Sequence, residues 1–156
     1  MLVNIDLVEK ISQELNKQNK KIVFTNGCFD IIHSGHISYL TESKKLGDIL
    51  IIGLNSDNSV KRLKGENRPI NTQNDRAIVL CALKAVDYVC IFEEDTPLNL
   101  IQTIKPKVLT KGGDYKIEEI VGYDFLTQNN GEVVIIDFVD GKSTTNIINK
   151  AKLKTH

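Results

Sequence analysis

The sequence has no excess charge of either sign. Its 20 lysines and arginines balance 20 aspartates and glutamates, which gives a formal net charge of zero at pH 7. Nucleic-acid binders and proteins that attach to acidic membranes usually carry a broad surplus of positive charge, so both classes are disfavoured. Any site for a polyanion in this chain must therefore be local.

Long hydrophobic runs and paired cysteines are also absent. The strongest apolar blocks, 49–52 and 133–136, are far shorter than the roughly 20 residues of a membrane helix, and they do not resemble a signal peptide. Cys28, Cys81 and Cys90 form an odd set without a CxxC pair, which disfavours a disulfide framework and a thiolate zinc site. The sequence thus predicts a cytoplasmic protein with reduced thiols.

The apolar residues alternate between two periods along the chain. Short runs rich in isoleucine, valine and leucine lack polar alternation, as is typical of parallel strands buried on both faces. Segments with helical spacing lie between these runs, so the sequence predicts an α/β fold: a doubly wound, Rossmann-like domain with a five-stranded parallel sheet. The predicted strands are 21–25, 49–54, 88–92, 107–111 and 133–138. At 156 residues the chain predicts a single domain over 1–156, with an N-terminal helix over 1–19 and a core over 20–152.

Several residues mark the ends of the predicted helices, because caps, prolines and glycines favour particular positions there. The predicted markers are Gly47 as the C′ glycine of the second helix, Thr72 with Asp75 as a capping box, Thr96 as a cap before Pro97, Lys105 before Pro106 as a helix end, and Ser143 as the cap of the last helix.

Small, polar and charged residues follow four of the predicted strands. They occupy the segments 26–30, 55–57, 112–115 and 140–145. In doubly wound sheets, ligands bind beyond the carboxyl ends of the strands, where the strand order switches. The sequence therefore predicts one composite site that is assembled from these distant segments.

The stretch 33–36, His-Ser-Gly-His, carries the strongest local signal. Its spacing puts His33 and His36 on one face of the first turn of a predicted helix, beside backbone N–H groups that suit an anion. Gly35 would let a phosphate approach the backbone closely, so the pattern favours phosphate binding. A capping pair without a ligand stays open. So does a zinc site completed by Asp30 or Cys28.

Two motifs resemble the signatures of the cytidylyltransferase-like nucleotidyltransferase superfamily. The first is Gly-Cys-Phe-Asp at 27–30 followed by His-Ser-Gly-His, and the second is Ser-Thr-Thr at 143–145. Further segments resemble the adenylyltransferase half of the bifunctional heptose-phosphate kinase and adenylyltransferase family, and the resemblance covers residues 20 to 152, which it makes the catalytic core. These segments are 55–57, 62–65, 68–71, 92–97, 111–115 and 140–148.

The resemblance implies a reaction and its partners. A heptose 1-phosphate would attack the α-phosphate of ATP, releasing pyrophosphate and giving ADP-heptose for a surface glycan such as lipopolysaccharide or capsule. It also implies Mg²⁺ bound mainly through ligand phosphates, with no metal site of the protein's own. A homodimer is expected, with a separate heptose kinase and with no nucleic-acid or membrane partner. A sugar phosphate is largely a dianion above its second pKa of about 6, so it needs no general base.

The resemblance also implies roles for individual residues. The catalytic set is His33, His36, Lys61 and Lys64, with His36 at the α-phosphate. The nucleotide-binding set is Asn26, Gly27, Cys28, Phe29, Asp30, Gly35, Arg76, Lys111, Gly112, Asp114, Tyr115, Ser143, Thr144 and Thr145, of which the last three would hold the β- and γ-phosphates. The substrate-binding set is Asn55, Asp57 and Arg68.

Purely structural interpretations stay open for several of these residues. Asp30 is as well suited to bracing its loop, Phe29 to the core, and the basic residues near Arg62 to solvent. Arg76 is predicted to form an ion pair with Asp87.

The chain departs from the superfamily in one motif. Phe138 and Val139 stand where cytidylyltransferases often carry an arginine, and Lys142 is the candidate for the missing charge. Other functions remain open: cytidylyl transfer to a polyol phosphate such as glycerol 3-phosphate, use of GTP, a non-catalytic nucleotide-binding module, and a zinc hydrolase.

Overall fold

A computed structural model describes residues 1–113, 115–137 and 144–153. Within these ranges the chain forms one six-stranded sheet with helices between the strands. The strands are β1 (Leu2–Val3), β2 (Ile22–Gly27), β3 (Ile49–Asn55), β4 (Tyr88–Phe92), β5 (Val108–Gly112) and β6 (Glu132–Ile136). The α-helices are α1 (Ile5–Lys17), α2 (Ser34–Lys44), α3 (Asp57–Lys64), α4 (Gln73–Cys81), α5 (Leu98–Ile104), α6 (Tyr123–Gln128) and α7 (Thr144–Leu153), and a 3₁₀-helix covers Ile117–Glu119.

The sheet is parallel throughout, in the order β1-β4-β3-β2-β5-β6. From β2 the chain moves outward through β3 and β4, then crosses back to place β5 on the other side of β2. The strand order therefore switches between β2 and β5, which is where a doubly wound sheet opens a ligand crevice. The predicted α/β class and parallel sheet are confirmed.

The predicted number of strands was one too low. The additional strand is β1, in which Leu2 pairs with Val89 and Val3 with Cys90 at the edge of the sheet. Two residues are too few for any periodic pattern, so hydrophobic spacing cannot reveal such a strand.

Two apolar clusters cover the two faces of the sheet, as a buried parallel sheet requires. One face packs Val8 of α1 and Ile101 of α5 against strand residues such as Phe24. The other packs Leu40 of α2 and Leu80 of α4 against the opposite side. No helix in the described ranges has both the length and the apolarity to cross a bilayer.

Two predicted helix ends are confirmed by the hydrogen bonds. Thr72 caps α4: its hydroxyl oxygen accepts from the Asp75 backbone N–H at 3.3 Å, and the hydroxyl donates to the Asp75 carboxylate at 2.7 Å. Lys105 ends α5 in the left-handed conformation at φ 52°. The predicted Thr96 cap was wrong by one residue, because the cap of α5 is Pro97 and the helix begins at Leu98.

The prediction that Gly47 is a C′ glycine was wrong. Helix α2 ends at Lys44, its cap Lys45 keeps a right-handed helical conformation, and Gly47 lacks the positive φ of such a glycine. A Cβ at position 47 would lie 2.5 Å from the carbonyl oxygen of Lys21. Glycine is therefore needed here for a close backbone approach to the start of β2. The predicted cap Ser143 lies outside the described residues.

Candidate active site

A cavity of about 560 Å³ opens at the carboxyl ends of β2, β3 and β5, at the predicted switch point. Its walls contain many of the residues that the sequence selects: Asn26, Gly27, Cys28, Phe29, His36, Asn55, Lys64, Lys111, Gly112 and Tyr115. Segments separated by up to 89 positions in the chain thus meet around one space of a size suited to a small-molecule ligand.

The two histidines lie together at the start of α2. His33 is the N-cap residue, with extended backbone at φ −141°, and the helix begins at Ser34. The imidazole rings of His33 and His36 have centroids 4.0 Å apart and planes 31° apart. His36 lines the cavity, and its buried Nδ1 accepts no hydrogen bond from the described part of the chain. The pair therefore stands beside the positive end of the α2 dipole, with one ring facing the cavity.

Phe29 shapes the turn between β2 and α2. Its backbone has φ 44°, in the left-handed region that a bulky residue enters only at a cost of about 1–2 kcal/mol. A Cβ at Gly27 would lie 3.0 Å from the Phe29 ring, and the His36 ring centroid is 5.4 Å from that of Phe29. Phe29 is buried in the core while also lining the cavity, so the turn is held in a strained form that fixes one side of His36.

Burial, with a smaller contribution from the neighbouring His33, lowers the pKa of His36 to about 4. At neutral pH the imidazole is therefore uncharged, so one ring nitrogen can donate a hydrogen bond and the other can accept one. A bound triphosphate would bring negative charge to the same place and would favour the imidazolium.

The first prediction concerns this titration. We expect the His36 ring to titrate near pH 4 in the free protein and at a higher pH with ATP bound, because phosphate charge stabilises the protonated ring. NMR of the histidine ring protons measures both midpoints, and His33→Gln and His36→Gln variants assign the signals. A His36 midpoint that stays at the same pH when ATP is added would contradict the placement of the phosphates.

The same pKa has a consequence for stability. The folded-state pKa of His36 lies below its ordinary value of 6.5, so the unfolded chain binds the proton more readily. The contribution of His36 to the free energy of unfolding is complete above about pH 6.5 and is lost as the pH falls towards 4.

Two lysines give the cavity a local positive charge. The ammonium group of Lys111 lies 3.4 Å from the side-chain oxygen of Asn26 and 5.9 Å from the centre of the Tyr115 ring. Burial lowers the pKa of Lys111, and the charge of Lys64 lowers it further. An anion in the cavity would offset both effects, so the site is electrostatically suited to a phosphate.

Cys28 is not activated as a nucleophile. Burial raises the pKa of its thiol, even though the positive charges of Lys64, Arg76 and Arg68 act in the opposite direction. The thiol is therefore protonated at neutral pH, and covalent catalysis through Cys28 is disfavoured.

Asp30 braces the loop rather than lining the cavity. Burial opposes ionisation of its carboxylate, but N–H groups of Asn71 and Ile70 and the guanidinium of Arg68 donate to it and hold its pKa below the ordinary range. The Arg68 Nε lies 2.5 Å from the carboxylate, and the Ile70 and Asn71 backbone nitrogens lie 2.8 and 2.9 Å from it. The turn after β2 is thereby tied to the segment before α4.

The predicted partner of Arg76 was wrong. Asp87 accepts instead from Lys44 Nζ at 2.5 Å and from the Leu50 backbone N–H at 2.7 Å. Arg76 is 2% exposed and donates to the Asp57 carboxylate at 2.8 Å. Asp87 lies near the start of β3, beside Leu50, whereas the start of α4 lies at the other end of that strand, beside Asn55.

The Arg76 guanidinium joins three segments that border the site. It donates to the carbonyl oxygens of Cys28 after β2, Asn55 at the end of β3 and Asn71 before α4. Because these bonds and the Asp57 pair engage its nitrogen atoms inside the protein, Arg76 holds the loops in place. Direct contact between Arg76 and a nucleotide stays a prediction.

Only some of the remaining predicted residues line the cavity. Asn55 is 3% exposed, and its side chain donates to Ser59 at 3.0 Å. Lys61 is exposed on α3 and is not part of the cavity wall, whereas Lys64 is. Gly35 is buried in the first turn of α2.

The start of α7 lies beside the turn that carries the histidines. The Thr144 hydroxyl donates to the carbonyl oxygen of Ile31 at 3.3 Å, two residues before His33. The predicted second motif is thus adjacent to the first at this residue. Its other members, Ser143 and the Thr145 side chain, lie outside the described residues, as do Asp114, Phe138, Val139 and Lys142.

The sequence predicts no site role for several other residues that line the cavity. They are Tyr39 on α2, Leu63 on α3, Asp95, Thr96 and Pro97 after β4, and Glu119, Ile120 and Val121 at the end of the 3₁₀-helix. The rule that ligands bind at the carboxyl ends of strands also applies to β4. It therefore also points to 95–97, which belong to one of the segments that carry the family resemblance but for which no binding role was predicted.

The described residues contain no group of three or more His, Cys, Asp or Glu side chains placed to hold a metal ion. The carboxylate of Asp30 is committed to Arg68 and backbone N–H groups, which argues against the zinc alternative. Asp95 and Glu119 also line the cavity, but both carboxylates are paired, Asp95 with Arg62 at 2.6 Å and Glu119 with Lys116 at 3.7 Å. A Mg²⁺ ion here would therefore take its ligands mainly from phosphates and water, as is common in nucleotide sites.

Comparisons with known proteins agree with this geometry. A family described as cytidylyltransferase-like matches residues 24–150. The chain is 62% identical over 138 residues to the bifunctional protein HldE of Campylobacter fetus and 60% identical over 145 residues to that of a Nitratiruptor species, which covers 88% and 93% of this chain. It spans 29% and 30% of the length of those two relatives.

Two solved structures share the fold. A lipopolysaccharide core biosynthesis protein from Thermoplasma volcanium is 33% identical with a TM-score of 0.64, and the match covers 79% of this chain and 99% of that one. A pantoate-beta-alanine ligase from Francisella tularensis reaches a TM-score of 0.63 at 18% identity, covering 98% and 77%, which bears on the fold alone. With the family match over most of its length and the histidine pair at its cavity, this chain belongs to the cytidylyltransferase-like family.

Proposed function

We propose that this protein transfers the adenylyl group of ATP to a heptose 1-phosphate, giving ADP-heptose and pyrophosphate. The observation that carries the proposal is the cavity at the β2–β5 switch point, where His36 meets Lys64 and Lys111 and where the thiol is not activated. Such a site binds and neutralises phosphates but offers no protein nucleophile, which suits a reaction whose substrate is itself the nucleophile.

The transfer step balances without a general base. An oxygen of the sugar phosphate dianion forms a bond to the α-phosphorus as the bond from that phosphorus to the bridging oxygen breaks, and the electron pair leaves with pyrophosphate. Catalysis then depends on alignment and on donors placed where negative charge grows. His36 would donate to the α-phosphate, and the positive end of α2 would face the triphosphate.

The lysines and the start of α7 would hold the rest of the triphosphate. Lys64 and Lys111 supply positive charge to the cavity, and Thr144 lies next to the turn that ends at His33. Mg²⁺ would be held mainly by phosphate oxygens, and when bound it would neutralise charge on the leaving pyrophosphate.

The choice of substrates draws on the relatives' names. Proteins at 60–62% identity are called bifunctional protein HldE, and the structural relative at 33% identity is called a lipopolysaccharide core biosynthesis protein. Together with the motif resemblance, these names favour a heptose phosphate and a surface glycan as the destination of the product. Cytoplasmic location and a homodimer belong to the same proposal.

The second prediction tests the reaction itself. We expect Mg²⁺-dependent pyrophosphate release with ATP and D-glycero-β-D-manno-heptose 1-phosphate, and much slower release with CTP, GTP or UTP. A coupled assay that compares the four nucleotides with heptose 1-phosphate and with glycerol 3-phosphate measures this preference. We expect mass spectrometry to identify ADP-heptose as the second product of the same reaction.

Each alternative gives a distinct result in the same assay. A preference for CTP with glycerol 3-phosphate would indicate that the protein transfers a cytidylyl group and not an adenylyl group. Tight ATP binding without pyrophosphate release under any combination would instead indicate a non-catalytic module. Activity that chelation abolishes and Zn²⁺, but not Mg²⁺, restores would indicate a zinc enzyme.

A further inference from the structure

Four hydroxyl groups form a buried chain beneath the cavity. The Tyr39 hydroxyl lies 2.7 Å from Thr25 Oγ1 and 3.1 Å from Thr110 Oγ1, and Ser43 Oγ lies 3.0 Å from Thr110 Oγ1. Tyr39 is 8% exposed, and the other three residues are fully buried. Polar groups in an apolar interior are costly unless paired, so a fully paired set of this kind favours one arrangement of the elements that carry it.

The Tyr39 hydroxyl has a partner on each of two strands. It donates to Thr110 Oγ1 on β5 and is hydrogen-bonded to Thr25 Oγ1 on β2. Burial raises the pKa of Tyr39, which keeps the phenol neutral and able to donate. The tyrosine is therefore the link that joins Thr25 on β2 to Thr110 on β5.

This link stands where the pairing of β2 with β5 ends. The two strands pair through Val23 with Val108 and Phe24 with Leu109, and Thr25 and Thr110 are the next residues on each strand. On its other side, β2 pairs with β3 as far as Gly27. The tyrosine hydroxyl thus bridges the two strands at the point where the crevice begins. The following residues, Asn26 on β2 and Lys111 on β5, both line the cavity.

Tyr39 is also placed to set the orientation of α2. It lies three residues after His36, so both side chains project from the same face of the helix, and both line the cavity. Ser43, one turn further on, reaches the same Thr110. Two successive turns of α2 are therefore fixed to the sheet by hydroxyls, in addition to apolar packing.

We propose that the Tyr39 hydroxyl is a positioning group that fixes the width of the β2–β5 crevice and the rotation of α2, and thereby holds His36 against the reacting phosphate. The inference rests on the proposed function, because its effect is seen in turnover. Tyr39 acts through His36 and does not itself contact the reacting atoms.

The test is a Tyr39→Phe variant, which removes one oxygen and keeps the ring. We expect kcat to fall about 10- to 100-fold, since small misplacements of catalytic groups have effects of this size, while KM for ATP changes less than about threefold. Tyr88→Phe is the matched control, because Tyr88 is partly buried on β4 and its hydroxyl makes no hydrogen bond to the described residues. It should leave kcat unchanged.

A double-mutant cycle separates positioning from a general structural effect. In a His36→Ala background, Tyr39→Phe should lower kcat less than about threefold, because the group that it positions is already gone. An equal fold-loss in both backgrounds, or wild-type kcat in Tyr39→Phe, would overturn the inference. A wild-type protein that releases no pyrophosphate would instead reject the proposed function. Should Tyr39→Phe fail to fold, Thr110→Val breaks the same link and carries the same expectations.

Discussion

Replacing His36 by alanine is expected to lower turnover by about 100-fold or more while ATP affinity changes little, because one preorganised donor to a transition-state charge is worth about that much. His36 faces the cavity, its Nδ1 is buried, and it stands at the start of α2. Steady-state pyrophosphate release gives kcat, and calorimetric titration with a non-hydrolysable ATP analogue gives the affinity.

The control for this variant is Ser38→Ala, on the exposed face of the same helix. It should retain wild-type kcat, which shows that α2 tolerates a small change away from the cavity. Equal losses of turnover and of nucleotide affinity in His36→Ala would favour a binding role for the histidine and would contradict the catalytic assignment.

Replacing Arg76 by alanine is expected to have the largest effect on stability, about 3–5 kcal/mol in the free energy of unfolding. The substitution removes a buried guanidinium and leaves the carbonyl oxygens of Cys28 and Asn55 and the Asp57 carboxylate without their donor. Urea unfolding monitored by circular dichroism measures the change.

Arg62 supplies a matched control for this measurement. It pairs with Asp95 and Glu93, but its side chain is 46% exposed, and surface ion pairs contribute little to stability because solvent and salt screen them. Arg62→Ala should therefore shift the unfolding free energy far less. Similar losses for the two arginines would contradict the role of Arg76 in joining the loops.

Much of the fold could be predicted because parallel strands leave a strong signal. The runs at 49–54 and 88–92 are apolar on both faces, and the structure has β3 and β4 at Ile49–Asn55 and Tyr88–Phe92. Helix caps that rest on a local hydrogen bond, such as Thr72 with Asp75, could also be predicted. The edge strand β1 could not, because it depends on pairing with a segment 87 positions away and not on its own pattern.

The candidate site could also be predicted only in part. The histidine pair is local, so its spacing alone placed both rings at one helix start. Contacts between distant segments could not be predicted. Arg76 pairs with Asp57 and not with Asp87, and the Asp30 carboxylate is held by Arg68 and Asn71. The role of Tyr39 could not be predicted, because a tyrosine on a buried helix face has the pattern of an ordinary core residue. Its role depends on which hydroxyls the sheet brings near it.

The central claim is that the start of α2 and the start of α7 hold one triphosphate between them. A crystal structure with Mg²⁺ and a non-hydrolysable ATP analogue tests it most directly. We expect His36 within hydrogen-bonding distance of the α-phosphate, with the β- and γ-phosphates next to Thr144 and the first backbone N–H groups of α7. A triphosphate that contacts neither helix start, or a nucleotide bound outside the cavity between β2 and β5, would contradict the account.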